Sequence, residues 1–434
     1  MQNATPAGDT INGRKGATPS EFLAARMGML RDYMAAISGS AGRLVFSLAY
    51  FIALANTLSI AEFGLFATAS AVGVVLSRIV GFGFITTLYR VATVRPGLIG
   101  VYAAGFMMMA LASLPLVAGA AWLVHHSFFA ADMPLGAFAL IIAAECLFWR
   151  PVEAIVIVNN GTGRFGRASL LVIIGVMLRA AAALALFVGP WRDLLTWSEL
   201  YLVANALSLA VAVAFFAPRS RLRLEPRLYW RRLPDSLYVA GAEIVFYLQS
   251  ELDKLLVLWL GGPHLAGVYA IIMRIVDLTA IPVRTFTMML VQQIMRTPDL
   301  LSSLVRRIGI EAAILAVSTL GLGTFAVLLH FFPGLLGSNV ATVTPLLSLA
   351  LLVPGFRNLV EYQAELLFAR GRTGVRAVNL ALLGLLKVGL LAGAIATMSS
   401  EPELMLMLNL VFAAIYLAST ALTYSAMRKP AKSL

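Results

Sequence analysis

The sequence predicts an all-α polytopic membrane protein, with about twelve transmembrane helices arranged as two six-helix bundles. Three observations predict it. The 434 residues are 60% hydrophobic and only 12% charged, with a mean hydropathy of +0.88. A soluble domain is about half apolar and about a quarter charged, so a core of this size would lack the polar surface to cover it. The apolar residues fall in continuous runs of the roughly 20 residues that a helix needs to cross a bilayer, not in the alternating stretches of about ten that mark a β-barrel. The basic residues are sorted by side. Of 33 Lys and Arg, 24 lie on one set of connecting segments, eight lie inside the apolar runs, and Arg192 stands alone on the opposite set. So apolar a chain offsets its ordering entropy, which excludes disorder. The single cysteine, Cys146, excludes a disulfide scaffold.

Taken in order, residues 1–40 are mostly polar, and the first apolar run comes too late for a cleavable signal peptide. They read as a cytoplasmic tail in which Glu21–Ala36, carrying Arg26 and Arg31, is expected to form an interfacial amphipathic helix. A first bundle, 41–217, holds spans near 42–60, 63–88, 98–124, 135–158, 168–188 and 198–217. The linker 218–235 is the most polar internal stretch and is rich in arginine. A second bundle, 236–427, holds spans near 236–259, 265–292, 308–331, 343–368, 375–397 and 403–426, and a short tail, 428–434, follows. An even number of spans puts both termini on one side, and the 24-to-1 bias makes that side cytoplasmic. The net charge of +12 is then explained by topology and attraction to anionic lipids, with no nucleic acid as partner.

The halves repeat. GRFGRA starts at Gly163 and GRTGVRA at Gly371, 208 residues apart. The same shift carries Glu153 onto Glu361 and Arg179 onto Lys387, and brings Arg150 within one residue of Arg357. EFGLFATASAV around Gly64 resembles LAGVYAIIMRIV around Gly267, at an offset of 203. Charges inside apolar helices are rare, because each costs roughly 2.5–3.5 kcal/mol at mid-helix, so charges matched at one offset point to duplication. Six spans per copy keep the same sense, which sets the pseudo-two-fold axis along the membrane normal and the binding region between the halves.

The intramembrane bases are Arg78, Arg150, Arg179, Lys254, Arg274, Arg284, Arg357 and Lys387. The acids placed in spans are Glu145, Glu153, Glu243, Glu251, Asp253, Asp277, Glu361 and Glu365. Arg150 with Glu153, Arg274 with Asp277, Arg357 with Glu361, and Lys254 with Glu251 are spaced to share a helix face and pair. These charges are expected in the cavity or between the bundles, with Asp253 as the odd one. Arg78, Arg179, Arg284 and Lys387 have no acid at i±3 or i±4. Each needs either an acid on another helix (Glu145, Glu243 or Glu365) or an external anion such as phosphate, whose oxygens match a guanidinium fork. Arg179 and Lys387, near the middle of spans 5 and 11, are expected to line one cavity and hold such an anion.

Asp253 to Leu278, DKLLVLWLGGPHLAGVYAIIMRIVDL, and Leu58 to Val72, LSIAEFGLFATASAV, carry a resemblance, as do the Gly-Arg loops after spans 4 and 10. They resemble Wzx-type polysaccharide flippases of the multidrug/oligosaccharidyl-lipid/polysaccharide exporter superfamily, over about residues 40–425. The resemblance implies two six-helix bundles around a central, often cationic cavity. It also implies transport of an undecaprenyl-pyrophosphate-linked oligosaccharide from the cytoplasmic to the outer leaflet of the bacterial inner membrane, for surface polysaccharide or exopolysaccharide biosynthesis. Membrane lipids, the lipid-linked glycan and the polysaccharide polymerase or export machinery are the partners it suggests. Asp253, Gly267 and Tyr269 are the positions carried over. One departure stands out: the span charges balance, eight against eight, where the family's cavity is often cationic.

The alternatives are a MATE-like exporter of small molecules or drugs, which would favour unpaired acids, and a membrane glycan ligase or glycosyltransferase. The short outer loops do not favour an enzyme. His125, His126, His264 and His330 lack the spacing of a helical zinc pair, and no GxxxxGK[ST] loop is present. No enzyme activity, cofactor or metal is therefore expected.

Overall fold

The computed structural model describes residues 42–296 and 303–428. The expected amphipathic helix at Glu21–Ala36 and the last six residues lie outside them. Among the described residues there is no strand, and helical segments stand at all twelve predicted spans. They are α1 (Gly42–Thr57), α2a (Ile60–Ser77) and α2b (Phe84–Val94), α3 (Ile99–Phe128), α4 (135–161), α5 (Phe165–Val188) and α6 (194–216). The second half holds α7 (226–261), α8 (263–296), α9 (Leu304–Phe331), α10a (Ser338–Leu347) and α10b (Val353–Ala369), α11 (Thr373–Thr397) and α12 (Glu401–Arg428). Counting α7 and α8 together, eight helices among the described residues are long and apolar enough to cross a membrane, and the bent α10 makes a ninth. Leu111, Leu184, Leu320, Leu385 and Leu410 stand exposed on α3, α5, α9, α11 and α12. Such an apolar outer surface suits lipid rather than water.

Each half packs mainly within itself, and the halves meet where α2 runs against α7 and α8. The repeat is visible in the backbone. α4 ends with Gly163 at φ 75°, and α10b ends with Gly371 at φ 70°. The amide of Arg164 donates to the carbonyl of Asn159 at 2.8 Å, and that of Arg372 to Leu367 at 2.9 Å. Both are left-handed glycine caps that satisfy the last helical carbonyls, so the two Gly-Arg motifs are one turn used twice. Gly64 of α2a and Gly267 of α8 touch. A Cβ on Gly64 would lie 2.4 Å from the Gly267 nitrogen, and one on Gly267 would lie 1.9 Å from the Ile60 carbonyl. Repeat-related residues in mutual contact lie at the pseudo-two-fold axis.

Among the described residues, spans 2, 4 and 10 are interrupted in ways that shape the site. Span 2 breaks between Ser77 and Phe84, because Gly81, Phe82 and Gly83 all take positive φ. Span 10 bends by 65° at residues 350–353. Asn409 of α12 satisfies the freed backbone there: its Oδ1 accepts from the Leu352 amide at 3.0 Å and its Nδ2 donates to the Leu349 carbonyl at 2.5 Å. A broken helix is tolerated at membrane depth only with such partners. Within α4, Ala144–Trp149 is a π-helical turn, a wide turn that recurs at functional sites.

Candidate functional site

The connecting segments rich in arginine define a basic face, and the opposite ends of the helices define a far face. Near the far face the halves are tied together. Beside the glycine contact, Asn339 donates to the carbonyls of Ala55 and Leu58, each at 2.9 Å, and Asn56 donates to Leu336 at 2.7 Å. Toward the basic face the halves diverge around a cavity of about 740 Å³. Four arginines line it (Arg43, Arg78, Arg150 and Arg376), against two carboxylates, Glu153 and Glu243. Trp149, Phe246, Tyr247 and Phe368 supply much of its apolar wall.

The charges form ion pairs between helices. Arg78 Nη2 lies 3.0 Å from Glu153, which also binds Arg150 Nη1 at 2.8 Å. Arg150 Nη2 reaches across the halves to Glu243 at 3.4 Å. In the second half Arg284 meets Glu361 at 2.9 Å and Asp277 at 3.1 Å, and Asp277 is shared with Arg357 at 3.5 Å. The pairs Arg78–Glu153 and Arg284–Glu361 occupy corresponding places in the repeat. In each, an arginine of the second helix of a half grips a glutamate of the fourth.

Lys387 of α11 sits 3.2 Å from Asp253 of α7, and both are almost fully buried. Tyr269 donates to the other oxygen of Asp253 at 2.5 Å. Arg179 is the exception among the four bases without a local acid. It makes no ion pair among the described residues. Its Nε and Nη2 donate to Asn205 Oδ1 at 3.1 and 2.6 Å, and its guanidinium lies 4.0 Å over the Trp149 ring.

Several expectations change. Arg78, Arg284 and Lys387 do take acids on other helices, but the partners are Glu153, Glu361 and Asp253 rather than Glu145, Glu243 or Glu365. Arg150 with Glu153 and Lys254 with Glu251 pair locally as expected, the latter at 2.5 Å. Arg274 does not pair with Asp277; it donates to Ser47 at 2.6 Å. Arg357 does not pair with Glu361, because Arg284 takes both of that carboxylate's oxygens. Spacing places two groups on one face, and a better-aimed base from a neighbouring helix then wins the carboxylate. Asp253, expected to be odd, is matched. Arg179 and Lys387 do not share a cavity: Lys387 borders a void of about 40 Å³ beside Gln249 and Phe412, while Arg179 faces a separate chamber of about 270 Å³.

Sequence reasoning missed three residues. Arg43 and Arg376 were counted with the connecting segments although they stand at the first residues of spans 1 and 11, and α1 and α11 carry them into the cavity wall. Glu311, omitted from the eight-to-eight charge balance, is buried in α9 and accepts from Tyr416 and Tyr424 at 2.8 Å and from Gln363 at 3.0 Å. Its position inside an apolar run was the available signal.

No protein-family model matches the sequence, and no curated protein matches it. Solved structures do match in fold. An inward-facing multidrug resistance MATE family transporter of the MOP superfamily aligns at TM-score 0.63 and 12% identity, over 91% of this chain and 96% of that one. An outward-facing structure of such a transporter aligns at TM-score 0.60 and 15% identity, over 90% and 92%. A mutant form of the Vibrio cholerae MATE transporter VcmN aligns at TM-score 0.53 and 14% identity, over 90% and 98%. At these identities the likeness is one of fold: twelve helices in two bundles.

Proposed function

We propose that this protein moves a lipid-linked anionic glycan, a polyprenyl-pyrophosphate oligosaccharide, across the bacterial inner membrane for surface polysaccharide biosynthesis. The observation that carries the reading is the lining of the 740 Å³ cavity, four guanidiniums against two carboxylates, set between two halves that touch at the far face. Arg43 makes no hydrogen bond or ion pair among the described residues, so its fork is free for phosphate oxygens. The basic face is cytoplasmic in this reading, by the positive-inside rule. The pyrophosphate and sugar enter the wet cavity from that side while the prenyl chain stays in lipid. The halves then rock, opening the far face and closing the basic one.

The fold is shared with multidrug transporters, and a drug or cation exporter is the rival. It would need acids in excess in the cavity, where bases are in excess. A deletion strain tests the reading. Loss of surface polysaccharide, with the lipid-linked unit accumulating on the cytoplasmic side, is expected. Accumulation on the periplasmic side would indicate a ligase instead, and drug hypersensitivity with normal polysaccharide would indicate the exporter.

A further inference from the structure

Beyond the main cavity, toward the far face, lies the chamber of about 270 Å³ that Arg179 faces. Trp149, from the π-helical turn of α4, borders both spaces and stands between them. The chamber is walled by aromatic rings: Tyr50, Phe51, Phe63, Phe66, Trp149 and Tyr201. Its polar groups are held in place but not exhausted. Arg179 uses Nε and Nη2 on Asn205 and leaves Nη1 without a partner among the described residues. Glu145 accepts from Tyr201, and from Ser70 at 3.2 Å, through Oε1 alone, which leaves Oε2 open.

We propose that this chamber is a sugar-ring subsite, receiving the pyranose next to the pyrophosphate while the arginines of the larger cavity hold the phosphates. The proposal rests on the transport reading above. A pyranose carries an apolar C–H face and a rim of hydroxyls. The electron-rich faces of aromatic rings suit the C–H face. A guanidinium N–H and a carboxylate oxygen suit hydroxyls, which both donate and accept. The chamber is smaller than the roughly 300–1,000 Å³ of sites for drug-sized ligands, so it fits one rigid ring rather than a whole oligosaccharide. Aromatic walls also attract cations, but here Arg179 already covers the Trp149 face, and the chamber's charged lining balances, Arg179, Lys254 and Arg274 against Glu145, Glu251 and Asp277. A lining without net charge, and with its best aromatic face already covered, suits a neutral hydroxylated ring better than a cation. The order along the path agrees: a lipid-anchored headgroup enters sugar first, so the sugar lies deeper than the pyrophosphate.

The test compares two probes on purified protein in nanodiscs: undecaprenyl pyrophosphate without sugar, and the lipid-linked glycan extracted from a deletion strain. The wild type is expected to bind the glycan-bearing lipid about tenfold tighter. Tyr50→Leu and Phe66→Leu, at residues that line the chamber and not the main cavity, should bring the two affinities to near equality. Tyr50→Phe, which keeps the ring, should preserve the preference. Equal affinities in the wild type, or a preference that survives both leucine variants, would overturn the subsite and leave the transport reading standing. Failure of the wild type to bind either lipid would overturn the transport reading, and the subsite with it.

Discussion

Arg284 donates to Glu361 from two nitrogens, Nε and Nη2, each at 2.9 Å. The matching pair of the first half, Arg78 with Glu153, is a single contact at 3.0 Å that shares its glutamate with Arg150. The two halves thus keep one tie, second helix to fourth, in two chemical settings. The Arg284–Glu361 pair is open, with both side chains 38% exposed, whereas Arg78 is 7% exposed.

That difference predicts unequal costs. Arg284→Gln removes a solvent-screened pair and should cost about 1 kcal/mol. Arg78→Gln strands part of a buried network and should cost about 2–3 kcal/mol, towards the range for broken buried pairs. Thermal unfolding of the purified variants, read as a shift in Tm, checks the ranking. The double variant Arg78→Gln with Glu153→Gln should not regain the loss, because it also takes from the buried Arg150 its partner at 2.8 Å.

The axial glycines predict a conformational phenotype. A methyl on Gly267 would fall 1.9 Å from the Ile60 carbonyl, and backbone on both sides leaves nothing flexible to yield. Gly267→Ala and Gly64→Ala should therefore prevent the halves from meeting at the far face. Cysteines placed at Ala67 or Ala71 should gain reactivity toward a membrane-impermeant thiol reagent added on the far side, and transport should fall. Unchanged labelling together with normal transport would remove the seam from the mechanism.

The bend in α10 predicts a stability effect far from any charge. Asn409→Leu leaves the Leu352 amide and the Leu349 carbonyl without their partner, at about 1–3 kcal/mol for each group left unmet at membrane depth. Asn409→Gln keeps both a donor and an acceptor without adding a charge, on an arm one methylene longer, so it should cost less. Membrane abundance and Tm of the two variants should fall in that order.

How much of this was legible in the sequence depends on the physical range of each feature. The spans follow from local composition, and the repeat from charges too costly to place by chance, so Gly163 with Gly371 and Glu153 with Glu361 could be aligned without coordinates. Breaks were not legible. Positive φ at Phe82 has no composition signal, and the bend in α10 depends on Asn409, about two spans away in the chain. Ion-pair partners were legible only where they shared a helix and nothing better aimed competed. Arg150 with Glu153 survived; Arg357 lost Glu361 to a base on α8. Arg43 and Arg376 were hidden because they stand at the first residues of spans 1 and 11, where a charge reads as the end of a connecting segment as readily as part of a cavity wall.

Arg179 and Lys387 occupy equivalent positions of the repeat, yet the structure predicts opposite behaviour on neutralisation. Lys387 is one half of a buried ion pair, 3.2 Å from Asp253 and 3.0 Å from the Gln249 carbonyl. Lys387→Ala leaves the Asp253 carboxylate without its cation in a site with almost no water access. Losing one partner of such a pair costs about 3–5 kcal/mol, a large share of a marginal stability, so membrane abundance should drop. Adding Asp253→Asn should restore abundance, since the stranded charge is gone. Arg179 pairs with no carboxylate among the described residues. Arg179→Ala forfeits two hydrogen bonds to Asn205 and a stack on Trp149, but it breaks no ion pair among the described residues and lifts the cost of burying a charge. Its abundance should stay near wild type while polysaccharide export falls. Arg179→Lys keeps the charge and loses the planar fork; export between the wild-type and alanine levels would show that the fork, not the charge alone, is used. Low abundance of Arg179→Ala would make Arg179 a structural residue, and normal export from it would remove it from the transport path.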